Sequence, residues 1–248
     1  MAALSQTTSK VRLGQMCTCN SYRNPAYLTK VASNIDVMSG GRLEYAIGAG
    51  WYDQEYNAYG YEYPPAGTRL KMLEESLIIY KKMTTEDEAT FKGEYYEINN
   101  AINQPKPLQK PHPPLWVCGG GEKVTLKLLA KYGDYGNWDV DIEGFKHKST
   151  ILKQHCEDQN RTYDEIGRTL HTNVIIGENQ ADLDSKLNKI SEMTSIPTEM
   201  YLNKPLVGLK NEVFEKLDEF ESHGCSYLIA YIADITWGNT VEILKERL

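Results

Sequence analysis

The stretch that decides the fold runs from residue 39 to residue 55 and reads Ser39-Gly40-Gly41-Arg42-Leu43-Glu44-Tyr45-Ala46-Ile47-Gly48-Ala49-Gly50-Trp51-Tyr52-Asp53-Gln54-Glu55. A short apolar run leads directly into Gly48 and Gly50, and Trp51 and Glu55 follow. Glycines at a strand end let the backbone approach a ligand closely, because they carry no Cβ. The stretch is therefore either a tight strand-to-loop turn with a stacking tryptophan or one wall of a binding site. Glycine clusters are weak motifs alone, so the rest of the chain must decide.

Strand-like and helix-like segments alternate on both sides of this stretch. The strand candidates are residues 11–17, 43–47, 115–118, 135–138, 170–176 and 227–232. Apolar residues with a 3.6-residue period predict helices over residues 25–38, 68–83, 122–132, 146–158, 181–193, 211–223 and 240–248. This alternation indicates an α/β fold with a parallel sheet, interrupted by a hairpin over residues 90–98. Because no linker divides the sequence, we expect one domain over residues 1–248.

The carboxyl ends of the predicted strands are the places to look for chemistry, since ligands of parallel α/β proteins gather there. The residues at three of these ends are Met16 and Cys17; Gly48, Gly50 and Trp51; and Cys118, Gly119, Gly120 and Gly121. The three consecutive glycines open a predicted helix, where free backbone N–H groups favour a phosphate. The alternative is a flexible strand-to-helix turn, because the glycines match neither the P-loop nor the dinucleotide fingerprint.

Two further features of the sequence stay open. Tyr56, Tyr59, Tyr61 and Tyr63 follow the glycine turn and would either wall a flat ring ligand or pack as a lid. Cys17 and Cys19 would face the same side of a strand, either as buried thiols or as half of a metal site. No second ligand pair is evident, so we predict no metal.

Charge and composition exclude several classes of protein. Lys and Arg total 27 against 34 Asp and Glu, so the formal net charge is −7. An acidic chain without a basic run is a poor partner for nucleic acid or a membrane surface. No apolar run has the length of a membrane span, and no signal peptide is recognisable, so we expect a cytoplasmic protein. The scattered histidines disfavour a metal-dependent hydrolase and offer no Ser/His/Asp triad.

At this point a family resemblance emerges from an ordered series of motifs. They are Arg12-Leu13-Gly14; Tyr22-Arg23-Asn24-Pro25-Ala26; Ser39-Gly40-Gly41-Arg42-Leu43-Glu44; Gly48-Ala49-Gly50-Trp51; Pro64-Pro65-Ala66-Gly67 with Arg69; and Pro114-Leu115-Trp116-Val117 with Gly119-Gly120-Gly121. In these motifs the chain resembles the bacterial luciferase-like monooxygenase family, most closely its deazaflavin-dependent oxidoreductase branch. The resemblance covers nearly the whole chain.

The resemblance implies a TIM (β/α)8-type barrel and an oxidoreductase that uses coenzyme F-420, or alternatively FMN, on a small organic substrate. It implies hydride transfer or oxygen insertion, a homodimer, and NAD(P)H or a reductase partner if the cofactor is FMN. Met16 and Cys17 match a strand bulge with a non-prolyl cis peptide bond, Gly48, Gly50 and Trp51 match a cofactor-facing strand end, and Cys118, Gly119, Gly120 and Gly121 match the phosphate-tail segment. Glu55 lies near the position of an acid that transfers protons in some relatives.

The resemblance also implies a departure from the family. About two βα units precede Arg12-Leu13-Gly14 in the family, whereas about ten residues do so here, so the six strands match barrel strands 3 to 8. We expect a barrel without its first units, which leaves open sheet edges. We therefore expect this chain alone to bind cofactor weakly or not at all. The alternative function is a non-catalytic barrel that binds a ligand or a partner chain.

Overall fold

The structure is a computed structural model that describes residues 1–247. The chain falls into two compact units, which are described separately. The first unit contains Met1–Gly136 and Gln154–Ile166, and the second contains Asn137–Lys153 and the residues from Gly167 onward. The prediction of a single domain stays a prediction.

The first unit alternates strands with helices and carries a separate hairpin. Its strands are β1 (Leu13–Gly14), β2 (Thr18–Cys19), β3 (Leu43–Gly48), β4 (Glu88–Lys92), β5 (Glu97–Ile102) and β6 (Leu115–Cys118), and β7 (Tyr135–Trp138) crosses into the second unit. Its helices are α1 (Ala2–Thr7), α2 (Pro25–Ser39), α3 (Asp53–Ala58), α4 (Ala66–Thr85) and α5 (Thr125–Tyr132), and α6 (Ile142–Asp158) spans the division.

Strand β3 is the centre of the first unit's sheet. β1 and β2 both pair with it in parallel on one side, and β6 pairs with it in parallel on the other. Three residues, 15–17, separate the paired segments of β1 and β2, whereas only residues 45–46 separate their partners on β3. The predicted strand over residues 11–17 is therefore two short strands joined by a one-residue bulge, a device that re-aims side chains next to sites.

Helix α2 shows how local sequence and a tertiary contact fix one element. Asn24 caps it, because its Oδ1 accepts from the backbone N–H groups of Ala26 (2.9 Å) and Tyr27 (3.3 Å). Near its other end, the fully buried Asp36 accepts from the N–H of Leu108 (2.7 Å) and from the N–H of Gln109 (3.1 Å). This carboxylate fixes to α2 the proline-rich segment of residues 104–114, which connects β5 to β6.

The β4–β5 hairpin is fastened to α4 by one carboxylate. Glu75 accepts three backbone hydrogen bonds, from the N–H groups of Glu94 (2.7 Å), Tyr95 (3.0 Å) and Tyr96 (2.8 Å). A Cβ on Gly93 would lie 2.3 Å from Glu75 Oε2, so a side chain there would displace the carboxylate. The hairpin turn thus closes around a side chain from α4.

The second unit pairs a long central strand with two others. Its elements are β8 (Gly167–Gly177), α7 (Gln180–Thr194), α8 (Thr198–Leu202), β9 (Leu206–Leu209), α9 (Lys210–Ser222), β10 (Cys225–Tyr231) and α10 (Thr240–Lys245). β10 pairs in parallel with the first part of β8, and β9 pairs in parallel with its last residues. Apolar side chains from α7, β8 and β9 form a core here: Ile175, Leu183, Leu187, Ile190 and Val207.

A charged group lies inside this second unit. Lys186 of α7 is only 3% exposed, and its Nζ lies 2.5 Å from Ile176 O, 2.5 Å from Asn239 Oδ1, 3.1 Å from Asp182 Oδ2 and 3.8 Å from Asp234 Oδ2. Asp234 is fully buried and accepts from the backbone N–H and the hydroxyl of Thr240. We give the name lysine cluster to five residues: Lys186, Asp182, Asp234, Asn239 and Thr240.

Most predicted elements are present, but the short helices α1, α3 and α8 were not predicted, and several boundaries differ. Strand β9 was not predicted, because four residues between two helical patterns carry too little periodicity. Helix α5 begins at Thr125 rather than at residue 122, because residues 122–124 form a turn in which Leu126 N–H donates to Gly121 O. The last predicted helix is α10, which ends at Lys245; its predicted end at Leu248 lies outside the described residues.

Candidate functional site

Three strand ends of the first unit lie in one row. Cys19 of β2 is the lateral partner of Gly48 at the end of β3, and Gly48 is the lateral partner of Cys118 at the end of β6. The strands are parallel, so their carboxyl ends meet at one edge of the sheet. Two of the predicted strand-end residues, Gly48 and Cys118, are therefore neighbours, and the bulge with Met16 and Cys17 directly precedes β2 in sequence.

The bulge brings two thiols and a thioether together. The Met16–Cys17 peptide bond is cis. Cys118 Sγ lies 3.3 Å from Met16 Sδ, and the side chains of Cys17 and Cys118 both lie close to the position that a Cβ on Gly48 would occupy. The neighbouring Cys118 side chain lowers the pKa of the Cys17 thiol, and the neighbouring Cys17 side chain together with burial holds the pKa of Cys118 well above its usual value. Cys17 is exposed and Cys118 is partly buried, so Cys17 is the more reactive thiol.

The space above Gly48 and Gly50 is occupied by side chains of the protein itself. A Cβ on Gly48 would lie 2.9 Å from Cys17 Sγ. Gly50 has a φ of +81°, and a Cβ there would lie 2.1 Å from Tyr56 Oη and 2.6 Å from Cys19 Sγ. Both glycines are thus required by close packing within this site, in addition to any ligand that approaches their backbone.

A group of stacked tyrosines, with one arginine, follows the glycine turn. The ring centroids of Tyr22 and Tyr61 are 4.7 Å apart in a stacked pair, and the ring of Tyr56 meets Tyr22 at 4.9 Å and Tyr63 at 4.7 Å, both edge to face. Arg69 lies over the Tyr63 ring, 4.1 Å from its centroid, and donates to Gly50 O at 3.2 Å. We call Tyr22, Tyr56, Tyr61, Tyr63 and Arg69 the tyrosine cluster. Tyr59, which was predicted with them, is 73% exposed and lies outside it.

The hydroxyl groups of this cluster have defined partners. Tyr22 Oη donates to Glu55 Oε2 at 2.8 Å, and Tyr63 Oη donates to Trp51 O at 2.9 Å. Tyr56 Oη lies 3.0 Å from Cys19 Sγ. Burial, with this contact, raises the pKa of Tyr56 to about 12, and burial together with the hydrogen bond to Glu55 raises the pKa of Tyr22. Both hydroxyls therefore stay protonated at neutral pH.

Two predicted parts of the site face solvent. The Trp51 side chain is 80% exposed, which leaves a large aromatic face beside Gly50. Gly119 has a φ of +119°, and a Cβ there would meet Thr125 at 3.4 Å, so a glycine is needed for its backbone conformation. Gly121 packs against the buried Thr125, where a Cβ would lie 2.9 Å from the hydroxyl oxygen. The residues before α5 are therefore three glycines, of which Gly119 and Gly121 are exposed and Gly120 is half-buried.

The second unit contains a groove of about 420 Å³ that holds none of the predicted site residues. Apolar residues line much of it, among them Leu217, Phe220, Leu228 and Leu244. Among residues 1–247, no cluster of three or more His, Cys, Asp or Glu side chains is arranged to hold a metal ion. Within the same residues, no helix is long and apolar enough to cross a membrane.

Three residues of the site were missed as site residues from the sequence. Tyr22 and Arg69 appear in the family motifs but carry no local signal for their contacts with Glu55 and Gly50. Asn20 follows β2 and is 1% exposed, and its Oδ1 has no hydrogen-bond donor. A polar residue directly after a strand end was the available signal for Asn20.

The comparison with protein families agrees with this geometry. Residues 1–199 match the family model described as luciferase-like monooxygenase. The chain belongs to the luciferase-like monooxygenase family. The matched residues include the entire row of strand ends and the tyrosine cluster.

Similar proteins use both of the expected cofactors. An F420-dependent glucose-6-phosphate dehydrogenase of Kineococcus radiotolerans is 30% identical over 179 residues, which cover 70% of this chain and 52% of that protein. An FMNH(2)-dependent dimethylsulfone monooxygenase of Pseudomonas putida is 31% identical over 127 residues, which cover 50% of this chain and 34% of that protein. The chain spans about half the length of several of the curated relatives it matches.

Solved structures of luciferase-like proteins show the same fold. An F420-dependent secondary alcohol dehydrogenase in complex with an F420-acetone adduct matches 100% of this chain and 82% of its own, with a TM-score of 0.84 and 18% identity. The predicted fold class, α/β with the (β/α)8-type topology of this family, is confirmed. The strands predicted to match barrel strands 3 to 8 are observed as β1 with β2, β3, β6, β7, β8 and β10.

Proposed function

We propose that this chain belongs to an oxidoreductase that uses coenzyme F-420, with FMN as the alternative cofactor, to act on a small organic substrate. The observation that carries the proposal is the row of Cys19, Gly48 and Cys118, with the exposed Cys17 and the exposed Trp51 beside it. F420-dependent relatives and a solved F420-dependent enzyme of the same fold support coenzyme F-420 as the first choice.

The residues at the strand ends fit such a cofactor in two respects. Asn20 Oδ1 is buried without a donor, so a donor group of a bound molecule would satisfy it. The residues before α5 are Gly119, Gly120 and Gly121, which carry no side chains, so a phosphate tail would be able to approach their backbone closely. When bound, the cofactor supplies hydride transfer or oxygen activation.

The protein's own residues would position the reactants and hold protons. Gly48 and Cys118 would bring backbone at the strand ends close to a ligand, and Trp51 would provide an aromatic face that excludes water. Glu55 is exposed and accepts a hydrogen bond from Tyr22, so this carboxylate would take up or release a proton at Oε2. Glu55 is the residue that we propose as catalytic.

A specific observation favours the non-catalytic alternative. Cys17 Sγ and Tyr56 Oη fill the space above Gly48 and Gly50, so part of the expected ligand surface is already covered. The proposal also includes a homodimer, a cytoplasmic location, and NAD(P)H or a reductase as partner in the FMN case.

Titration of the purified chain with coenzyme F-420 and, separately, with FMN tests the proposal. We expect saturable binding of coenzyme F-420 that is weaker than micromolar, with a Kd of up to about 1 mM. Gly48→Ala should weaken it about tenfold or more, because the added methyl forces the Cys17 thiol towards the ligand. Gly67→Ala is the matched control, since a Cβ there meets nothing within 4 Å. Tighter binding of FMN would reverse the choice of cofactor, and no binding of either would favour the non-catalytic alternative.

A further inference from the structure

Residues 51–63 of the first unit combine aromatic rings with negative charge. Six of these 13 residues are Trp or Tyr, whereas aromatic residues make up 10% of the chain. The charged residues of the segment are Asp53, Glu55 and Glu62, without any Lys or Arg. We call residues 51–63 the aromatic-acidic surface. Trp51 and Glu55 belong to the candidate site, but the proposed cofactor chemistry does not explain the composition of the rest.

The aromatic residues of this surface are open to solvent. Five of the six are between 40% and 80% exposed: Trp51, Tyr52, Tyr59, Tyr61 and Tyr63. Soluble proteins rarely expose large contiguous apolar patches, and such patches often mark interaction sites. The ring faces are therefore available to a ligand.

Contacts within the segment hold these rings together. Tyr63 Oη donates to Trp51 O at 2.9 Å, and the Tyr63 ring meets the ring of the buried Tyr56 at 4.7 Å. The ring centroids of Trp51 and Tyr52 are 5.3 Å apart, and the two ring planes are tilted by 46°. Two exposed rings at such an angle are able to contact one small group from two sides.

The acidic residues place uncompensated negative charge beside these rings. Glu55 lies in the first turn of α3, and its N–H donates to Tyr52 O at 3.1 Å. Its carboxylate accepts a hydrogen bond from Tyr22, which is a neutral hydroxyl, and the other two acidic residues are exposed. Among residues 1–247, none of the three carboxylates forms an ion pair with a basic side chain. The surface therefore attracts cations.

One ring of this surface already has a cation over it. The guanidinium carbon of Arg69 lies 4.1 Å from the Tyr63 ring centroid, and the same group donates to Gly50 O at 3.2 Å. Arg69 is 7% exposed, so it serves the protein's own packing. In the part of the chain that the structure describes, no basic side chain lies over the ring of Trp51 or Tyr52. These two rings are left for an external cation.

We infer that the aromatic-acidic surface binds a small organic cation of the alkylammonium class. Aromatic rings recognise such cations through electrostatic attraction between the positive charge and the ring face. A metal ion fits less well, because the described residues contain no group of three His, Cys, Asp or Glu side chains arranged to hold one. The role of this cation as the substrate rests on the proposed function, whereas its binding to the surface does not.

Titration of the purified, cofactor-free chain with choline, followed by ligand-detected NMR, tests the inference. The comparison molecule is the neutral alcohol in which carbon replaces the choline nitrogen, since it has the same shape without the charge. We expect choline to bind saturably, with a Kd on the order of 1 mM, and at least about fivefold more tightly than the alcohol. Equal affinities of the two molecules, or no saturable binding of choline, would overturn the inference.

Substitutions at Trp51 test where choline binds. Trp51→Leu should weaken choline binding about fivefold or more, whereas Trp51→Phe should retain part of the affinity, because phenylalanine keeps a ring face. Trp51 is 80% exposed, so neither change should disturb the fold. Tyr27→Leu is the matched control, since Tyr27 of α2 is also exposed but lies outside residues 51–63.

A change of charge supplies the second arm of the test. Glu55→Gln should weaken choline binding about threefold, because one exposed carboxylate is lost. Glu88→Gln is the matched control, since Glu88 of β4 is exposed and lies outside the aromatic-acidic surface. Unchanged affinity in both Trp51→Leu and Glu55→Gln would place choline elsewhere and contradict the inference. The titration contains no cofactor, so its failure leaves the proposed binding of coenzyme F-420 or FMN untouched.

Discussion

The tyrosine cluster of the first unit and the lysine cluster of the second unit both bury polar groups, but with different chemistry. In the lysine cluster one buried ammonium group is surrounded by two carboxylates and two further oxygen acceptors, so the positive charge is compensated inside the protein. In the tyrosine cluster neutral hydroxyls point to partners at the edge of the site, and Glu55 and Trp51 remain exposed. The difference indicates that the lysine cluster serves stability, whereas the tyrosine cluster shapes a surface.

Removal of the buried cation should have the largest effect. Lys186→Met leaves the carboxylate of Asp234 buried without a cation, so we expect a loss of roughly 3–5 kcal/mol in the free energy of unfolding. Urea denaturation measures this loss of stability. Lys189→Met is the control on the same helix, because Lys189 is exposed and only lies over the Trp237 ring; it should cost about 1 kcal/mol or less. Equal losses for both variants would contradict a stabilising role of the lysine cluster.

A clash inside the tyrosine cluster should have the next largest effect. Gly50→Ala combines a positive φ with a Cβ that would lie 2.1 Å from Tyr56 Oη. Gly60→Ala shares the positive φ, +70°, but has no atom within 4 Å of its Cβ. The φ effect should cost about 1–2 kcal/mol in both variants, and displacement of Tyr56 should add about 1–3 kcal/mol in Gly50→Ala alone. Similar urea midpoints for the two variants would show that displacement of the Tyr56 side chain costs no stability.

Alkaline pH should weaken the tyrosine cluster. The pKa of Tyr56 is raised to about 12 in the folded chain, against about 10 in an unfolded chain. The stability from the protonated hydroxyl is complete below pH 10 and is lost as pH rises through the folded pKa. We expect the free energy of unfolding to fall between about pH 10 and pH 12, and Tyr56→Phe to reduce that slope. An unchanged slope in Tyr56→Phe would assign the effect to other tyrosines.

The smallest effect is expected at Glu55. Its hydrogen bond with Tyr22 involves an exposed carboxylate, so Glu55→Gln should change the free energy of unfolding by less than about 1 kcal/mol. A double-mutant cycle with Tyr22→Phe isolates the pair. A coupling energy as large as the loss in Lys186→Met would remove the contrast between the two clusters.

The local sequence predicted the helices and strands better than it predicted the side-chain contacts of the candidate site. The period of the apolar residues predicted α2, and the strand ends placed Gly48 and Cys118 together, because these features depend on neighbouring residues and on parallel topology. The contacts of Tyr22 with Glu55 and of Lys186 with Asp234 join residues far apart in sequence, and no periodic pattern records such pairs. The bulge at Met16 and Cys17 came from the family resemblance, since the apolar run alone predicts one continuous strand.

The carboxylate of Glu75 has a consequence for how the first unit opens. The amide protons of residues 94–96 belong to a hairpin, yet their hydrogen bonds end on a side chain of α4. Their exchange with solvent deuterium therefore requires the turn to separate from α4, while the hairpin's own strands remain paired. These three amides act as reporters of helix-to-hairpin separation, and they should exchange together rather than with the amides of β4 and β5.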